Sequence, residues 1–217
     1  MTSIELIALA ASTSLLAGWR LYLVTLVTGL AMKFGYVALP EQLQALDVLT
    51  NNWVLGIAAV GTLAEFFADK IAWVDSAWDG IHAFIRPLGG ALLSLAIVDA
   101  GDPAWQIASF LAGGGAALVA HAGKAGARTL VNASPEPYSN IAVSTMEDVA
   151  TGGLLALAIA NPIAAAIIAA ILVFLSIWLA MKARRAIKRV MDAITPPPRM
   201  KDVTPQASSS KTPSPGA

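Results

Sequence analysis

A few charged residues interrupt otherwise apolar stretches of this chain, and their spacing limits what they can do. Arg20 is the only charge between Leu6 and Met32. A guanidinium does not deprotonate in a protein, so it demands a carboxylate or a bound anion. The acids available to it are Glu65, Asp69, Glu147 and Asp148. Glu65 and Asp69 stand four apart, on one face of a helix, where two carboxylates can hold a cation or a proton between them. Alternatively Asp69 pairs with the adjacent Lys70 at an interface; Glu65 is the expected site, with Asp69 as its support. Glu147 and Asp148 also allow two readings. Ser144-Thr-Met-Glu147 fits a capping box, which would start a helix near Thr145 and leave both acids near the surface. Placed deeper, they would adjoin a broken helix whose exposed end forms a binding site at membrane depth. These five residues are the candidate pathway for a substrate or ion.

A second set is basic. His121, Lys124 and Arg128 are separated by three and four residues and follow Gly113-Gly-Gly115, while His82 and Arg86 are four apart before Pro87 and Gly89-Gly90. Each set shares one helix face. Together they would form a basic vestibule for an anionic substrate or a lipid phosphate; the alternative is a positively charged end of two spans packed closely through glycine. Two histidines without further ligands at zinc-site spacing predict no metal. No Gly-rich phosphate loop, Gly-x-Ser-x-Gly elbow or His-Glu-x-x-His is present, so neither catalytic residues of the soluble type nor a cofactor is expected.

The elements that hold these residues follow from composition. The 217 residues are 57% hydrophobic and 13% charged, with no cysteine, and mean hydropathy is +0.68. Ordinary soluble domains carry about 25% charge, so a typical soluble protein, a disordered chain, a disulfide scaffold and thiol chemistry are all excluded. A span needs about 20 apolar residues, and six stretches qualify: about 6–32, 53–68, 80–98, 104–123, 141–160 and 163–181. Asn161-Pro162 divides the last two, because proline ends a helix at the residue before it. The stretches are rich in Ala, Leu, Ile and Gly without alternation, which predicts helices and not barrel strands. Glu5, with no Lys or Arg before the first apolar run, argues against a cleaved signal. The fold expected is an all-α polytopic membrane protein with about six transmembrane helices.

With both termini cytoplasmic, twelve of the fourteen Lys and Arg residues fall inside, Lys33 outside and Arg20 within the membrane, as the positive-inside rule asks. Trp53 and Trp105 would then mark the outer interface, and Trp73, Trp78 and Trp178 the inner one. Residues 1–190 form the transmembrane domain. The basic run Lys182 to Arg189 either attracts anionic lipid or only fixes topology, and residues 191–217 read as a disordered Pro- and Ser-rich cytoplasmic tail.

A shift of 95 residues superposes Leu16-Ala17-Gly18 on Leu111-Ala112-Gly113, Lys33 on Arg128 and Pro40-Glu41 on Pro135-Glu136; a shift of 82 places Glu65 on Glu147. The expectation is two inverted three-helix repeats, about 6–99 and 104–186, since an odd number of spans forces opposite insertion.

The strings Ala17-Gly-Trp-Arg20, Glu65-Phe-Phe-Ala-Asp69-Lys70, Val74-Asp75, Trp78-Asp79, Ile85-Arg86-Pro87, His121-Ala-Gly-Lys124 with Arg128, Ser134-Pro-Glu136 and Ser144-Thr-Met-Glu147-Asp148 resemble the bacterial membrane proteins grouped as domain of unknown function 4126. The resemblance covers about residues 8–185. It implies a bacterial inner-membrane location and brings no activity with it. Trp19-Arg20 and the Phe66-Phe67 pair are bulkier than expected at these positions and would narrow a pathway. The function expected is a small inner-membrane transporter or channel-like protein, working as a homodimer in the bilayer without a nucleic-acid partner. A lipid-phosphate-handling protein or intramembrane enzyme, and a non-transporting scaffold, are the alternatives.

Overall fold

The computed structural model describes residues 2–36, 41–98, 102–132 and 138–194. The described chain forms six α-helices and a 3-10 segment, Glu41–Thr50: α1 (Ser3–Lys33), α2 (Asn52–Ala68), α3 (Ala72–Val98), α4 (Pro103–Asn132), α5 (Tyr138–Ala160) and α6 (Pro162–Ile194). All but α2 are long and apolar enough to cross a membrane. With its 17 residues, α2 measures about 25 Å at 1.5 Å per residue, just under the usual hydrocarbon thickness. The protein is thus an all-helical, multi-pass membrane protein.

Helix starts follow local chemistry. The Thr2 side chain accepts from the Glu5 amide, and the Glu5 carboxylate accepts from the Thr2 amide at 2.7 Å, a reciprocal capping box. Asn51, Asp102 and Asn161 begin α2, α4 and α6 by accepting from the amides of Trp53, Ala104 and Ala164. Pro103 and Pro162 follow two of these caps, at the helix position where a missing N–H costs nothing. Asn161-Pro162 therefore separates α5 from α6 as expected.

Several boundaries differ from the sequence reading. The predicted capping box at Ser144 does not form, because α5 already begins at Tyr138 and Ser144 lies within it. α3 starts eight residues before Gly80 and holds Pro87 in its interior. α4 runs beyond Gly123 to Asn132. Residues 191–194, assigned to the tail, continue α6. The rest of the predicted tail, 195–217, and the Pro135-Glu136 pair lie outside the described residues.

The largest departure is in α1. Arg20 has φ −144° and ψ 70°, which breaks the helix into two arms. The first arm lies along the C-terminal half of α3: Ser14 Oγ donates to the Gly90 carbonyl at 3.0 Å, and Ile7 and Ala10 share a cavity with Val98 and Trp105. The second arm lies along that same half of α3, with Leu21, Tyr22 and Thr25 around a cavity shared with Gly89, Leu92 and Ala96. It then passes Leu49 and Leu55 at Gly29, and Lys33 reaches the Thr50 carbonyl. Both arms therefore rise from Arg20 toward one end of the bundle, the end where α2, α4 and α6 begin. The α2–α3 turn and the C-terminal part of α6, which passes Gly123 and Gly126 of α4, lie toward the other. Ser3 and Ile194 stand at opposite ends, which departs from the expectation of a straight first span with both termini on one side.

Close approach of small residues seats the first arm. A side chain on Gly18 would strike the Ala117 backbone and the Ala120 side chain of α4. Ser14, Leu16 and Ala17 of this arm are all fully buried. Gly18→Leu is therefore expected to lower stability by about 1–3 kcal/mol or more, the usual cost of overpacking, read as a lower thermal midpoint in detergent. Because the chain has no cysteine, single cysteines report topology cleanly. Ser3→Cys and Lys182→Cys should react with an impermeant thiol reagent from opposite faces of oriented vesicles.

Candidate functional site

The break at Arg20 leaves carbonyls of the preceding turn without their helical partners. That of Trp19 accepts from the Lys124 ammonium at 3.3 Å. Non-helical backbone at membrane depth is tolerated where protein satisfies it, and α4 does so here. The Arg20 guanidinium, 1% exposed, forms a close ion pair with Asp69 and lies 3.0 Å from Asp148 and 3.5 Å from Glu147. It also donates to the Ser144 carbonyl at 3.2 Å. Lys124 completes this group, 3.1 Å from Asp69 and 3.8 Å from Glu147.

A second group centres on Arg86, which is fully buried. One guanidinium nitrogen pairs with Glu65 at 2.5 Å; the other donates to Asp79 at 2.8 Å and to His121 Nδ1 at 2.7 Å. His121 Nδ1 therefore accepts, and its Nε2–H donates to the Asp79 carbonyl at 3.1 Å. His82 stacks on Trp78 with ring centroids 4.3 Å apart. Its Nδ1–H donates to the Trp78 carbonyl, and its Nε2 is hydrogen-bonded with the Tyr22 hydroxyl at 3.0 Å. In a third group Arg128 grips Asp75 through Nε at 3.2 Å and Nη2 at 3.1 Å, and donates to the carbonyls of Asn140 and Asp69. Asn132 also donates to Asp75, at 2.6 Å.

All ten candidates from the sequence are brought together, but not as two sites. The basic residues are no free vestibule: Arg86, Lys124 and Arg128 are each paired with carboxylates, because an unpaired charge buried in an apolar bundle is too costly to keep. Glu65 serves Arg86 instead of Arg20. Asp69 serves Arg20 and Lys124, while its sequence neighbour Lys70 turns toward Asp148 Oδ2 at 4.0 Å and lies over the Phe66 ring. The break that would expose a site is in α1, and both α2 and α5 are continuous.

The sequence reading missed Asp75 and Asp79 as members of the network. Their signal was present: Asp75, Asp79, His82 and Arg86 are spaced four, three and four apart, one stripe of α3 that is buried throughout. Asn132 extends the α4 stripe of His121, Lys124 and Arg128 in the same way.

Two cavities flank the network. One of about 330 Å³ is lined by Arg20, Thr62, Glu65, Phe66 and Asp148. The other, of about 290 Å³, is lined by Asp75, Asp79, His121 and Arg128. Arg86 bonds Glu65 of the first and Asp79 of the second. Among the described residues no three His, Asp or Glu side chains are grouped to hold a metal ion.

Residues 7–182 match the family described as domain of unknown function (DUF4126). The chain belongs to that family. The matched stretch contains every charged residue of the network, so the family's defining region and this buried cluster coincide. No curated protein and no solved structure matches the chain.

Removing one partner of a buried pair leaves the other uncompensated, at a cost of about 3–5 kcal/mol. Arg128→Met is expected to destabilise by that order, and adding Asp75→Leu to recover much of the loss. A double-mutant cycle of denaturant unfolding in detergent checks this.

Proposed function

We propose that the chain is a small transporter or channel-like protein of the bacterial inner membrane, moving a small solute or ion through the charge network at the centre of its bundle. The observation that carries this reading is Arg86, whose guanidinium joins Glu65 at one cavity to Asp79 at the other. A side chain that bridges two cavities blocks passage while both ion pairs hold, and opens a path when one is exchanged. A scaffold would need only closed pairs. Here Glu65 Oε2, Asp69 Oδ1 and Glu147 Oε2 are buried without hydrogen-bond partners, which suits a network that trades partners.

The helix directions support an inverted arrangement for part of the chain. α2 and α5 run in opposite senses, as do α3 and α6, and α2 and α5 each bring carboxylates to the network. In this reading the repeat takes in the second arm of α1 and leaves the first arm outside it. The α2–α3 turn and the basic end of α6, where Lys182, Arg184, Arg185, Lys188 and Arg189 are exposed, face the cytoplasm by the positive-inside rule. Ser3 then faces the opposite side, with Lys33. A homodimer would cover the lipid-facing side of a thin bundle, and the basic end of α6 would draw anionic lipid.

The test is flux in proteoliposomes against a panel of proton, sodium, potassium and chloride gradients, each read by an internal indicator. Wild-type protein should dissipate at least one gradient well above protein-free vesicles. Glu65→Gln should bring that flux to background in protein that still inserts and folds, at a lower thermal midpoint because Arg86 loses a buried partner. Full activity of Glu65→Gln sinks the reading.

A further inference from the structure

The network is not electrically balanced. Among the described residues its cations are Arg20, Lys70, Arg86, Lys124 and Arg128, and its carboxylates are Glu65, Asp69, Asp75, Asp79, Glu147 and Asp148. Five positive charges face six negative ones. His121 cannot supply the difference, because its Nδ1 accepts from a guanidinium. An uncompensated carboxylate in such surroundings is costly, so one position in the network is suited to receive a positive charge.

That position is on α5. Glu147 and Asp148 share the nitrogen Arg20 Nη2, with Lys124 3.8 Å from Glu147 and Lys70 4.0 Å from Asp148. Glu147 Oε2 and Asp148 Oδ2 have no hydrogen-bond partner, although both atoms are buried. As residues these two are the most accessible acids of the network, 17% and 24% exposed in their side chains, against 0–8% for Glu65, Asp69, Asp75 and Asp79. Asp148 lines the 330 Å³ cavity together with Glu65, which is 1% exposed and whose Oε2 is also unpartnered. One turn along the same face of α5, the Thr151 hydroxyl is fully buried and has no partner at all.

We propose that Glu147 and Asp148 form a proton-binding site, taking one proton from bulk water onto a carboxylate oxygen. This deepens the transport reading by naming its coupling ion, and it rests on that reading for any role in flux. The new O–H bond neutralises the excess charge. Release returns the proton to water, so no other reactant is consumed. When the pair is protonated, Arg20 keeps Asp69 and loses part of its hold on α5. When it is ionised, Arg20 ties α1 to α5. Proton occupancy thereby controls one of the pairings that close the cavity.

The charged groups facing the pair are Arg20 from α1, Glu65, Asp69 and Lys70 from α2 and the turn after it, and Lys124 and Arg128 from α4. α6 has none before Lys182. Two adjacent carboxylates under this many influences titrate as a pair, so the proton belongs to the pair and not to one oxygen.

The experiment is an equilibrium titration of the purified full chain in lipid nanodiscs, followed by the infrared absorption of protonated carboxyl groups. The expected result is a carboxyl band that appears on acidification, amounts to about one proton per chain, and keeps its midpoint when sodium or potassium chloride is exchanged for a large organic cation. Glu147→Gln and Asp148→Asn should each remove or strongly shift it. Asp148→Glu, which retains the carboxyl and guards against misfolding of the neutral variant, should restore it. A midpoint that moves with alkali-cation concentration overturns the proposal in favour of a bound metal cation. A band that survives both neutral variants, or is lost only in Glu65→Gln or His82→Gln, overturns the placement. The titration has no gradient and no flux, so its failure leaves the transport reading standing, and absence of flux leaves the proton site standing.

Discussion

A charge buried in an apolar helical bundle must find its opposite inside the protein, because neither hydrocarbon nor packed side chains can solvate it. Among the described residues eleven ionisable side chains meet under that constraint, and the helices are arranged around their pairing. Arg20 is the point where it acts most strongly. Its guanidinium reaches Asp69, Glu147 and Asp148 from a residue at which the helix itself is broken. The break supplies the Trp19 carbonyl to Lys124, so backbone and side-chain charges are satisfied by one another at the same place.

From that point the rest of the fold follows in layers. Gly18 lets the first arm of α1 press against α4, which brings Lys124 under the break. The stripe Asp75, Asp79, His82 and Arg86 on α3 meets the stripe His121, Lys124, Arg128 and Asn132 on α4, acid against base along two facing helices. α2 and α5 close the cluster from the other side with Glu65, Asp69, Glu147 and Asp148. Hydrophobic packing holds α3, α5 and α6 to α1 above the cluster, through Leu16, Val24, Leu93, Ile97, Leu155 and Ala169. The apolar core places the helices, and the ion pairs determine their rotation. Among the described residues the network is uneven in charge and leaves several buried oxygens without donors.

Much of this was readable from residue order. Long apolar runs marked the helices, Asn161-Pro162 divided the last two, and scarcity of charge made the ten candidate residues stand out. Three of the four acids named as possible partners of Arg20 are its partners. What was misread depended on geometry between helices. Ser144-Thr-Met-Glu147 has the residues of a cap, but α5 is already one and a half turns long there because nothing between Tyr138 and Ser144 stops it. The basic residues looked like an open face because their partners, Asp75 and Asp79, lie on another helix. Lys70 seemed the natural mate of Asp69, yet adjacent residues on a turn point apart.

The sequence by itself determined that the chain lives in a membrane as a set of helices, and which few residues must be buried at a cost. Both are one-dimensional properties: the length of an apolar run and the rarity of charge within it. Which acid serves which base, that α1 turns back at Arg20, and that two cavities meet at Arg86 were decided only by the tertiary structure. Those outcomes depend on the relative rotation and depth of six helices. The energy that selects them, the pairing of charges brought from different helices into a poorly solvated interior, exists only once the helices are packed together.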